Sequence, residues 1–577
     1  MALQFESGLQ NLVYQVDQGP GRKVIHAVLF ALFAFGMAAL YTFNNFQGLR
    51  DPRAMEQAQL ARRLAHGQGW TTQCLRPLSI WRVAGRSPDG SAAILAHPDL
   101  RHPPVWPAVL AGVFRLVRIP APGAPTTEYV NPWDYAPVVA SHFFMALSAL
   151  WVWLIGRKLF DARVGTLSAA AFLLSDLVWR RSLLGGEWGV AMFFSLGAVH
   201  AALKAVETPP GSEAAPVPLW RWLAPLVASS LMLAAAFLTR YAAGGMALLI
   251  FLFIGVSRRE HPWRKASLFL GLTALWAVPW VARNMDVSGN PFGLVFYDLL
   301  SGTYLFQGDA LARSIQPDLP DAITAFYAVQ LKAMGNLRDF LAEGGGFSSG
   351  GLLLALFGAM YLHRFVRPAS RALRWCLLPA AALTILVAAA FGEESLRALA
   401  LFWPLAIPYG WAFFLVLLDR LQFEMRFFAA AAVSAVMAVT ALPLALHVLP
   451  PRSGLPYPPY FHSYAGWVTG MVESGECLVT DIPWATAWYG GKTSILLPRD
   501  IDGFYEIELN HHKIALAYFT TVTRDKPWVR GLSDPTAPEY SWYQVFSAGK
   551  VPQNFPLTHG RFLAGGDQLV LADRPRW

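Results

Sequence analysis

VIHAVLFALFAFGMAALYTF, residues 24–43, is the stretch that decides the fold. A helix needs about 20 predominantly apolar residues to cross the hydrocarbon core of a bilayer, and this run has that length. Arg22 and Lys23 precede it directly, and no small-x-small cleavage site follows a short apolar core. We therefore interpret the run as a retained membrane span and not as a signal peptide.

Similar apolar runs recur along the chain and predict a mainly α, polytopic membrane protein with about eleven transmembrane helices. Of the 577 residues, 55% are hydrophobic and 14% are charged, whereas roughly 25% are charged in soluble proteins. The predicted spans lie near residues 24–43, 136–156, 164–179, 188–205, 221–239, 242–256, 266–282, 350–363, 375–391, 399–418 and 427–449.

The net charge of +9 could suggest nucleic-acid binding, but the basic residues form short clusters on alternate loops. This is the distribution that the positive-inside rule predicts for a membrane protein, so we expect no nucleic-acid partner. The clusters share one side with Arg22 and Lys23, which makes that side the cytoplasm and the C-terminus extracytoplasmic. They contain Arg157, Lys158, Arg163, Arg258, Arg259, Arg264, Lys265, Arg364, Arg367, Arg371, Arg374, Arg420 and Arg426.

This topology divides the chain into a membrane domain, 1–449, and an extracytoplasmic domain, 450–577. The membrane domain includes a first outer loop, 44–134, and a second, 284–348. In the C-terminal domain the short apolar segments CLVTD, TSILLP, IALAYFTTV and QLVLAD alternate with helical stretches such as IPWATAWYGG, which predicts a small α/β fold. A disulfide between Cys74 and Cys477 would be compatible with this topology, and Cys376 falls within an apolar run.

The segment DPRAMEQAQLARRLAHGQGW, residues 51–70, follows the first span and predicts a helix. Asp51 before Pro52 is an N-cap signal, and an apolar stripe recurs at three- and four-residue spacing. Such a helix could lie in the membrane interface with a solvated polar face. Alternatively, Glu56 on that polar face could point into an outer cavity as a general base, since Asp51 already has a structural role as the cap.

Later in the same loop, AHPDLRHPPVWP, residues 96–107, brings together His97, Asp99, Arg101 and His102. The sequence demands no cofactor, but a divalent metal could bind at His97, Asp99 and His102 if another segment supplied a further ligand. The same side chains could instead bind substrate hydroxyls and phosphate, or form an ordered turn in which the histidines are satisfied.

Polar residues also occur at the outer ends of the spans, at Glu187, Arg240, Arg283 and Arg397. The positive-inside rule disfavours arginines in short outer loops, so several of them at one membrane depth need an explanation. Arginine binds phosphate bidentately, and a group of arginines therefore predicts a buried anionic site. For any single arginine, pairing with a nearby carboxylate is the simpler interpretation.

These segments, in this order, resemble the GT-C integral-membrane glycosyltransferases, in the branch of the protein mannosyltransferases and aminoarabinose transferases. The resemblance covers roughly residues 24–420. It is carried by an acidic residue ahead of AxxARxLAxGxGW, by RHPPVWPAVLAG, by LTRY, by VPWVARNMDVSGNPFG and by LRALALFWP.

The resemblance implies an enzyme that transfers a hexosyl or pentosyl group from a polyprenyl-phosphate donor to a glycan, lipid or protein hydroxyl. It implies a catalytic carboxylate in the first outer loop, at Glu56 or Asp51, and donor-phosphate binding by Arg240, Arg283 and Arg397. His97, Asp99, Arg101, His102 and Glu187 are candidate substrate-binding residues. The chain departs from the family pattern, because Arg53 and Ala54 occupy the best-aligned acidic positions and Gln57 replaces a tyrosine.

The leading hypothesis is therefore an inverting glycosyltransferase of the bacterial inner membrane. The alternative is a non-catalytic membrane subunit or a lipid-carrier transporter that has kept the fold, which the altered acidic motif favours. A transporter should carry polar residues at mid-span in paired halves. Here the polar residues gather at the outer ends of the spans, which favours an enzyme at the membrane surface.

Overall fold

A computed structural model describes residues 20–120, 130–207, 218–257, 261–342, 347–394, 397, 399–422, 426–449, 462–522, 527–546, 552, 554–563 and 566–577. The described chain consists of a helical membrane part and a small six-stranded sheet.

Within the described residues, an apolar helix or helix pair overlaps each of the eleven predicted runs. These helices are α1 (Pro20–Asn45), α5 (Tyr135–Leu159), α6 and α7 (Ala162–Leu173 and Asp176–Leu183), α8 (Trp188–Glu207), α9 (Leu219–Phe237), α10 (Gly245–Gly255), α11 (Pro262–Ser288), α14 (Phe347–Ala359), α15 (Pro368–Phe391), α16 (Trp403–Arg420) and α17 (Arg426–Val448).

Among the described residues, seven helices are long and apolar enough to cross a membrane, and the bent pair α6–α7 would make eight. The predicted number of eleven spans is therefore not confirmed, although the helical, multi-pass architecture is. Two further apolar helices are shorter. One is Tyr241–Gly255, which includes α10, and the other is Gly351–Leu362, which includes most of the kinked α14.

The two long loops that the sequence predicts to be extracytoplasmic contain further helices. The first loop holds α2 (Pro52–Ala65), α3 (Pro77–Ala84) and α4 (Val105–Val117), and the second holds α12 (Ala310–Arg313) and α13 (Ala322–Ala342). Of these helices, α2 is predicted by its sequence pattern, whereas α4 and α13 are not.

Helix α2 begins where the N-cap signal predicts, because the Asp51 carboxylate accepts the Arg53 backbone N–H and Pro52 occupies the first turn. The expectation of a solvated polar face is wrong. Every residue from Ala54 to Arg62 is buried, including Glu56, Gln57 and Gln59. Gln59 bonds to Thr72 of the first loop, and Arg62 bonds to backbone carbonyls of Ala487 and Trp488, so protein and not solvent covers these polar side chains of α2.

The C-terminal domain adds helices α18 (His462–Gly470), α19 (Pro483–Ala485), α20 (Ile501–Asn510), α21 (Pro527–Gly531) and α22 (Tyr543–Phe546). Its sheet has the order β1-β3-β2-β4-β6-β5, parallel from β1 to β4 and antiparallel at β6 and β5. The four predicted strands are β2 (Cys477–Thr480), β3 (Thr493–Leu496), β4 (Ile514–Phe519) and β6 (Leu569–Ala572), and β5 is His559–Phe562.

Strand β1 (Cys74–Leu75) comes from the first outer loop and pairs with β3. The C-terminal region therefore does not build its sheet alone. Side chains alternate between the two faces of a strand. Leu478 and Leu516 accordingly join the hydrophobic core of the membrane helices, while Val479 and Ala517 face a separate core. The three cysteines are free and buried, so the Cys74–Cys477 disulfide is not formed.

Candidate active site

A cavity of about 830 Å³ lies where the start of α2, the α7–α8 turn, the loop 284–348 and the C-terminal end of α15 meet. One part of its wall is apolar and includes Trp188, Phe237, Tyr241, Phe292 and Phe391. Its charged lining residues are Asp51, Arg53, Arg101, His102, Arg181, Glu187, Arg240, Asp298, Lys332, Glu393, Glu394 and Arg397.

The predicted site residues divide into two groups. Asp51, Arg101, His102, Glu187, Arg240 and Arg397 line the cavity, which brings together segments from most of the membrane part. Glu56, His97, Asp99 and Arg283 do not line it.

Asp51 supplies a carboxylate at the cavity wall. Its Oδ1 accepts the Arg53 N–H at 3.1 Å, and its Oδ2 faces the turn at Gly186, where an added Cβ would lie 3.9 Å away. Burial raises the pKa of the Asp51 carboxyl above its ordinary value, and the nearby Glu187 carboxylate adds to this shift. A carboxylate that is harder to ionise is a stronger base once it is ionised.

Glu56 lies in a different environment, because both of its carboxylate oxygens are engaged. Arg76 Nη2 donates to Oε1 at 2.5 Å, and His102 Nε2 lies 3.2 Å from Oε2. His102 Nδ1 in turn lies 3.0 Å from the Asp99 carboxylate. Burial alone would raise the pKa of Glu56, but Arg76 and His102 outweigh it and hold that pKa well below its usual range.

His102 is the one member of this cluster that reaches the cavity. Burial alone would lower the pKa of its imidazole, but the carboxylates of Asp99 and Glu56 outweigh burial and raise that pKa to about 9. His102 is therefore a cation at neutral pH, and the buried cluster presents positive charge to the cavity.

A second ion network surrounds Arg240, which the LTRY segment places in the turn after α9. Its guanidinium donates to Glu187 at 2.6 Å, pairs with Glu393 and stacks 4.2 Å above the Trp188 ring. Glu187 also lies 3.5 Å from Arg53. This network fixes the guanidinium plane of Arg240 against one wall of the cavity.

Two predicted site residues have structural contacts instead. Arg283 donates to the Asp99 carbonyl at 2.5 Å and stacks over Trp280, which fixes the backbone of the first loop. His97 is hydrogen-bonded through both ring nitrogens, to the Ala92 carbonyl and to the Ser79 hydroxyl. Since both nitrogens are engaged, His97 cannot complete a metal site with Asp99 and His102. Within the described ranges, no group of three or more His, Cys, Asp or Glu side chains could hold a metal ion.

Three cavity cations were not predicted from the sequence, namely Arg53, Arg181 and Lys332. Arg181 stacks 5.4 Å from the Trp188 ring, and its buried Nε has no hydrogen-bond partner in the described part of the chain. The neighbouring Arg180 is paired with Asp176 at 2.8 Å. Lys332 donates to three backbone carbonyls of the second loop, at Asp298, Leu299 and Ser301. The Arg180-Arg181 pair was a sequence signal for a cation, but nothing in the sequence marked Lys332.

The sequence matches no protein-family model and no curated protein. Solved structures nevertheless share its fold at low identity. The oligosaccharyltransferase of Archaeoglobus fulgidus, tethered to an acceptor peptide, is 13% identical with a TM-score of 0.56, over 90% of this chain and 71% of that one. ArnT from Cupriavidus metallidurans in the apo state is 13% identical with a TM-score of 0.53, over 96% of this chain and 98% of that one.

The same ArnT was also solved with undecaprenyl phosphate, and that structure has a TM-score of 0.52 at 13% identity over 95% of this chain and 98% of that one. At these identities the likeness establishes the fold alone. Both relatives are GT-C glycosyltransferases, so the resemblance in fold that the sequence suggested is confirmed.

Proposed function

Since the chain has a GT-C-like fold, we propose that it is a glycosyltransferase that moves a monosaccharide from a polyprenyl-phosphate donor to an acceptor hydroxyl. The observation that carries this proposal is the cavity, which combines a carboxylate with several cations beside an apolar wall. A carboxylate suits the activation of a hydroxyl, cations suit a phosphate leaving group, and an apolar wall suits a polyprenyl chain.

In the proposed reaction, Asp51 is the general base. It takes the proton of the acceptor hydroxyl as that oxygen attacks the anomeric carbon, and the bond from this carbon to the donor phosphate oxygen breaks. The polyprenyl phosphate leaves with the bonding electron pair, and a single displacement inverts the anomeric configuration. The sequence favoured Glu56 over Asp51 as the base. We propose Asp51 instead, because Glu56 lies outside the cavity lining and its charge is neutralised by Arg76 and His102.

Arg181, Arg240 and Arg397 are the proposed phosphate-binding residues. Arg240 is already paired with Glu187 and Glu393, so it contributes a fixed hydrogen-bond donor more than a net charge. Arg181 forms no ion pair with a carboxylate of the described residues, and Arg397 has only the exposed Glu394. Preorganised guanidinium groups of this kind stabilise charge as it develops on the leaving phosphate. Arg101 and His102 would add cationic contacts to the substrate.

We propose that the reaction takes place on the outer face of a bacterial inner membrane and that the N-terminus lies in the cytoplasm. The basic clusters on the opposite loops support this orientation through the positive-inside rule. ArnT was solved with undecaprenyl phosphate, which supports a lipid phosphate as the leaving group here. The acceptor hydroxyl belongs to a glycan, a lipid or a protein.

The experiment is a transfer assay with the purified full chain in lipid nanodiscs. Radiolabelled hexosyl and pentosyl polyprenyl phosphates are offered together with outer-membrane lipid, envelope glycan and protein acceptors. We expect stoichiometric release of polyprenyl phosphate with sugar transfer, and a product of inverted anomeric configuration by NMR. A glycosyl polyprenyl diphosphate serves as the comparison donor.

If the chain used only the diphosphate donor, the proposed donor class would be wrong and the donor would be a glycosyl polyprenyl diphosphate. If the chain neither transfers nor hydrolyses any donor but still binds polyprenyl phosphate, the non-catalytic lipid-carrier alternative is the correct one.

A further inference from the structure

The carboxylate of Asp134 joins three segments that are far apart in the sequence. Asp134 is buried just before α5 and accepts three hydrogen bonds. The donors are the backbone N–H of Leu49 at 3.1 Å, the indole of Trp488 at 2.7 Å and the hydroxyl of Tyr489 at 2.9 Å. Hydrogen bonds to a buried charged group are among the stronger ones in proteins, so one carboxylate holds Leu49, Trp488 and Tyr489 together.

The same turn of the C-terminal domain, Thr486–Gly490, is also held from α2. Arg62 donates to the carbonyls of Ala487 at 3.0 Å and Trp488 at 2.7 Å, and its guanidinium lies 4.5 Å above the Trp488 ring. No carboxylate of the described residues forms an ion pair with Arg62. Arg62 thus connects the segment Thr486–Gly490 to the last turn of α2. Asp134 connects the same segment to Leu49, just before α2.

The backbone before α2 is shaped for this contact. Gly48 has a φ of +105°, which L-residues rarely adopt, and an added Cβ would lie 3.3 Å from Asp134 Oδ2. This conformation lets the next N–H, that of Leu49, point at the carboxylate. Asp51 follows two residues later, so the position of its carboxylate depends on where the Leu49 backbone is fixed.

We propose that Asp134 is a positioning residue through which the C-terminal turn Thr486–Gly490 holds Leu49, and thereby Asp51, in place at the cavity. This inference rests on the proposed role of Asp51 as the base. It gives the C-terminal domain a part in the reaction that does not require contact with the acceptor. Misplacement of a reacting group by about 1 Å can cost 10²-fold in rate, so a fixed backbone at this point has a large effect on turnover.

The test compares two variants of the full chain with a matched control. Asp134→Asn removes the charge that the three donors share, and Tyr489→Phe removes one donor with little change in volume. Tyr518→Phe is the control, because Tyr518 is a buried tyrosine of the same domain whose hydroxyl donates to Gln568 at 2.6 Å and not to Asp134. Two quantities are measured in nanodiscs, namely amide hydrogen exchange over residues 47–57 and steady-state sugar transfer.

We expect exchange over 47–57 to accelerate at least tenfold in Asp134→Asn and to a smaller extent in Tyr489→Phe, with no change in Tyr518→Phe. The kcat should fall about 10²-fold in Asp134→Asn and about tenfold in Tyr489→Phe, while KM for the donor stays within about twofold. The split between kcat and KM separates misplacement of the base from loss of the donor site.

Unchanged exchange over 47–57 in both variants overturns the inference, whatever happens to turnover. Accelerated exchange with an unchanged kcat also overturns it, because the segment would then move without consequence for the reaction. If the wild-type chain transfers no sugar, the proposed function fails separately, and the exchange measurement still decides whether Asp134 fixes the segment.

Discussion

Asp51 and Glu56 lie about one and a half helical turns apart at the start of α2, yet their surroundings differ in almost every respect. Asp51 is half-buried at the cavity wall and uses one oxygen to cap the helix. Glu56 is buried behind it, with Arg76 on one oxygen and His102 on the other. Burial alone therefore does not make a carboxylate a base. What matters is whether the charge is already neutralised by fixed partners.

The largest difference should appear in turnover when the Asp51 carboxylate is removed. Asparagine caps helices about as well as aspartate, so Asp51→Asn should leave the fold intact and lower kcat by about 10³-fold, within the range for loss of a general base. The matched control is Asp161→Asn, because Asp161 caps α6 by accepting the Val164 N–H at 2.8 Å and does not line the cavity. If the two variants were equally active in the transfer assay, Asp51 would not be the general base.

Glu56→Gln should affect stability instead. It leaves Arg76 and the protonated His102 buried without their shared carboxylate, which typically costs about 3–5 kcal/mol. Denaturation of the purified chain should show this loss, while kcat per folded molecule changes far less than in Asp51→Asn. Glu473→Gln is the control, because it removes a carboxylate from an exposed ion pair with Arg574. We expect no measurable loss of stability in this variant. A stable but inactive Glu56→Gln would reverse the two assignments.

The cluster around Glu56 should also make stability depend on pH. The pKa of His102 is about 9 in the folded chain, above its unfolded value of roughly 6.5. The stabilisation is therefore fully present below about pH 6.5 and is lost as pH rises toward 9, at about 1.4 kcal/mol per pH unit. Unfolding measured between pH 6 and 10 should show this decline, and His102→Gln should flatten it. A decline of the same size in the variant would assign the titration to another group.

The smallest expected effect separates two adjacent arginines. Arg181→Gln should weaken the binding of undecaprenyl phosphate about tenfold, because a charge-assisted hydrogen bond to phosphate is lost. Arg180→Gln is the internal control, since Arg180 is held by Asp176 at 2.8 Å and lies 3.1 Å from His447. Titration by native mass spectrometry or calorimetry would measure both affinities. Equal affinities would exclude Arg181 from the phosphate site.

The sequence predicted the apolar helices and four of the six strands, because both follow from periodicities of hydrophobic residues. It also predicted the N-cap at Asp51, which is a local interaction. It could not predict the surroundings of Glu56, since Arg76 and His102 are brought to it by the folding of the loop. The solvated polar face expected for α2 failed for the same reason. A helix with many polar residues can be internal when other segments cover each of them.

Strand β1 escaped prediction because two residues carry no measurable alternation, and its partner β3 lies near the other end of the chain. Arg283 illustrates a different limit. Its type and its position at the end of α11 suggested phosphate binding, but the residue donates to a backbone carbonyl of the first loop. Sequence indicates which residues lie at the ends of the apolar helices, whereas the direction of each side chain depends on packing.

The pairing of β1 with β3 has a consequence for the synthesis of the chain. Beside it, Gln73 bonds to the Gly491 carbonyl across 418 positions of sequence. The first loop is synthesised early, but its edge strand β1 has no strand to pair with until β3, near the other end of the chain, has been made. Non-local pairings of this kind form late, and until then the unpaired backbone N–H and C=O groups of the strand stay available to other chains. Strand β1 therefore stays unpaired until β3 has been synthesised, and chains truncated before β3 would reach the membrane without forming this sheet.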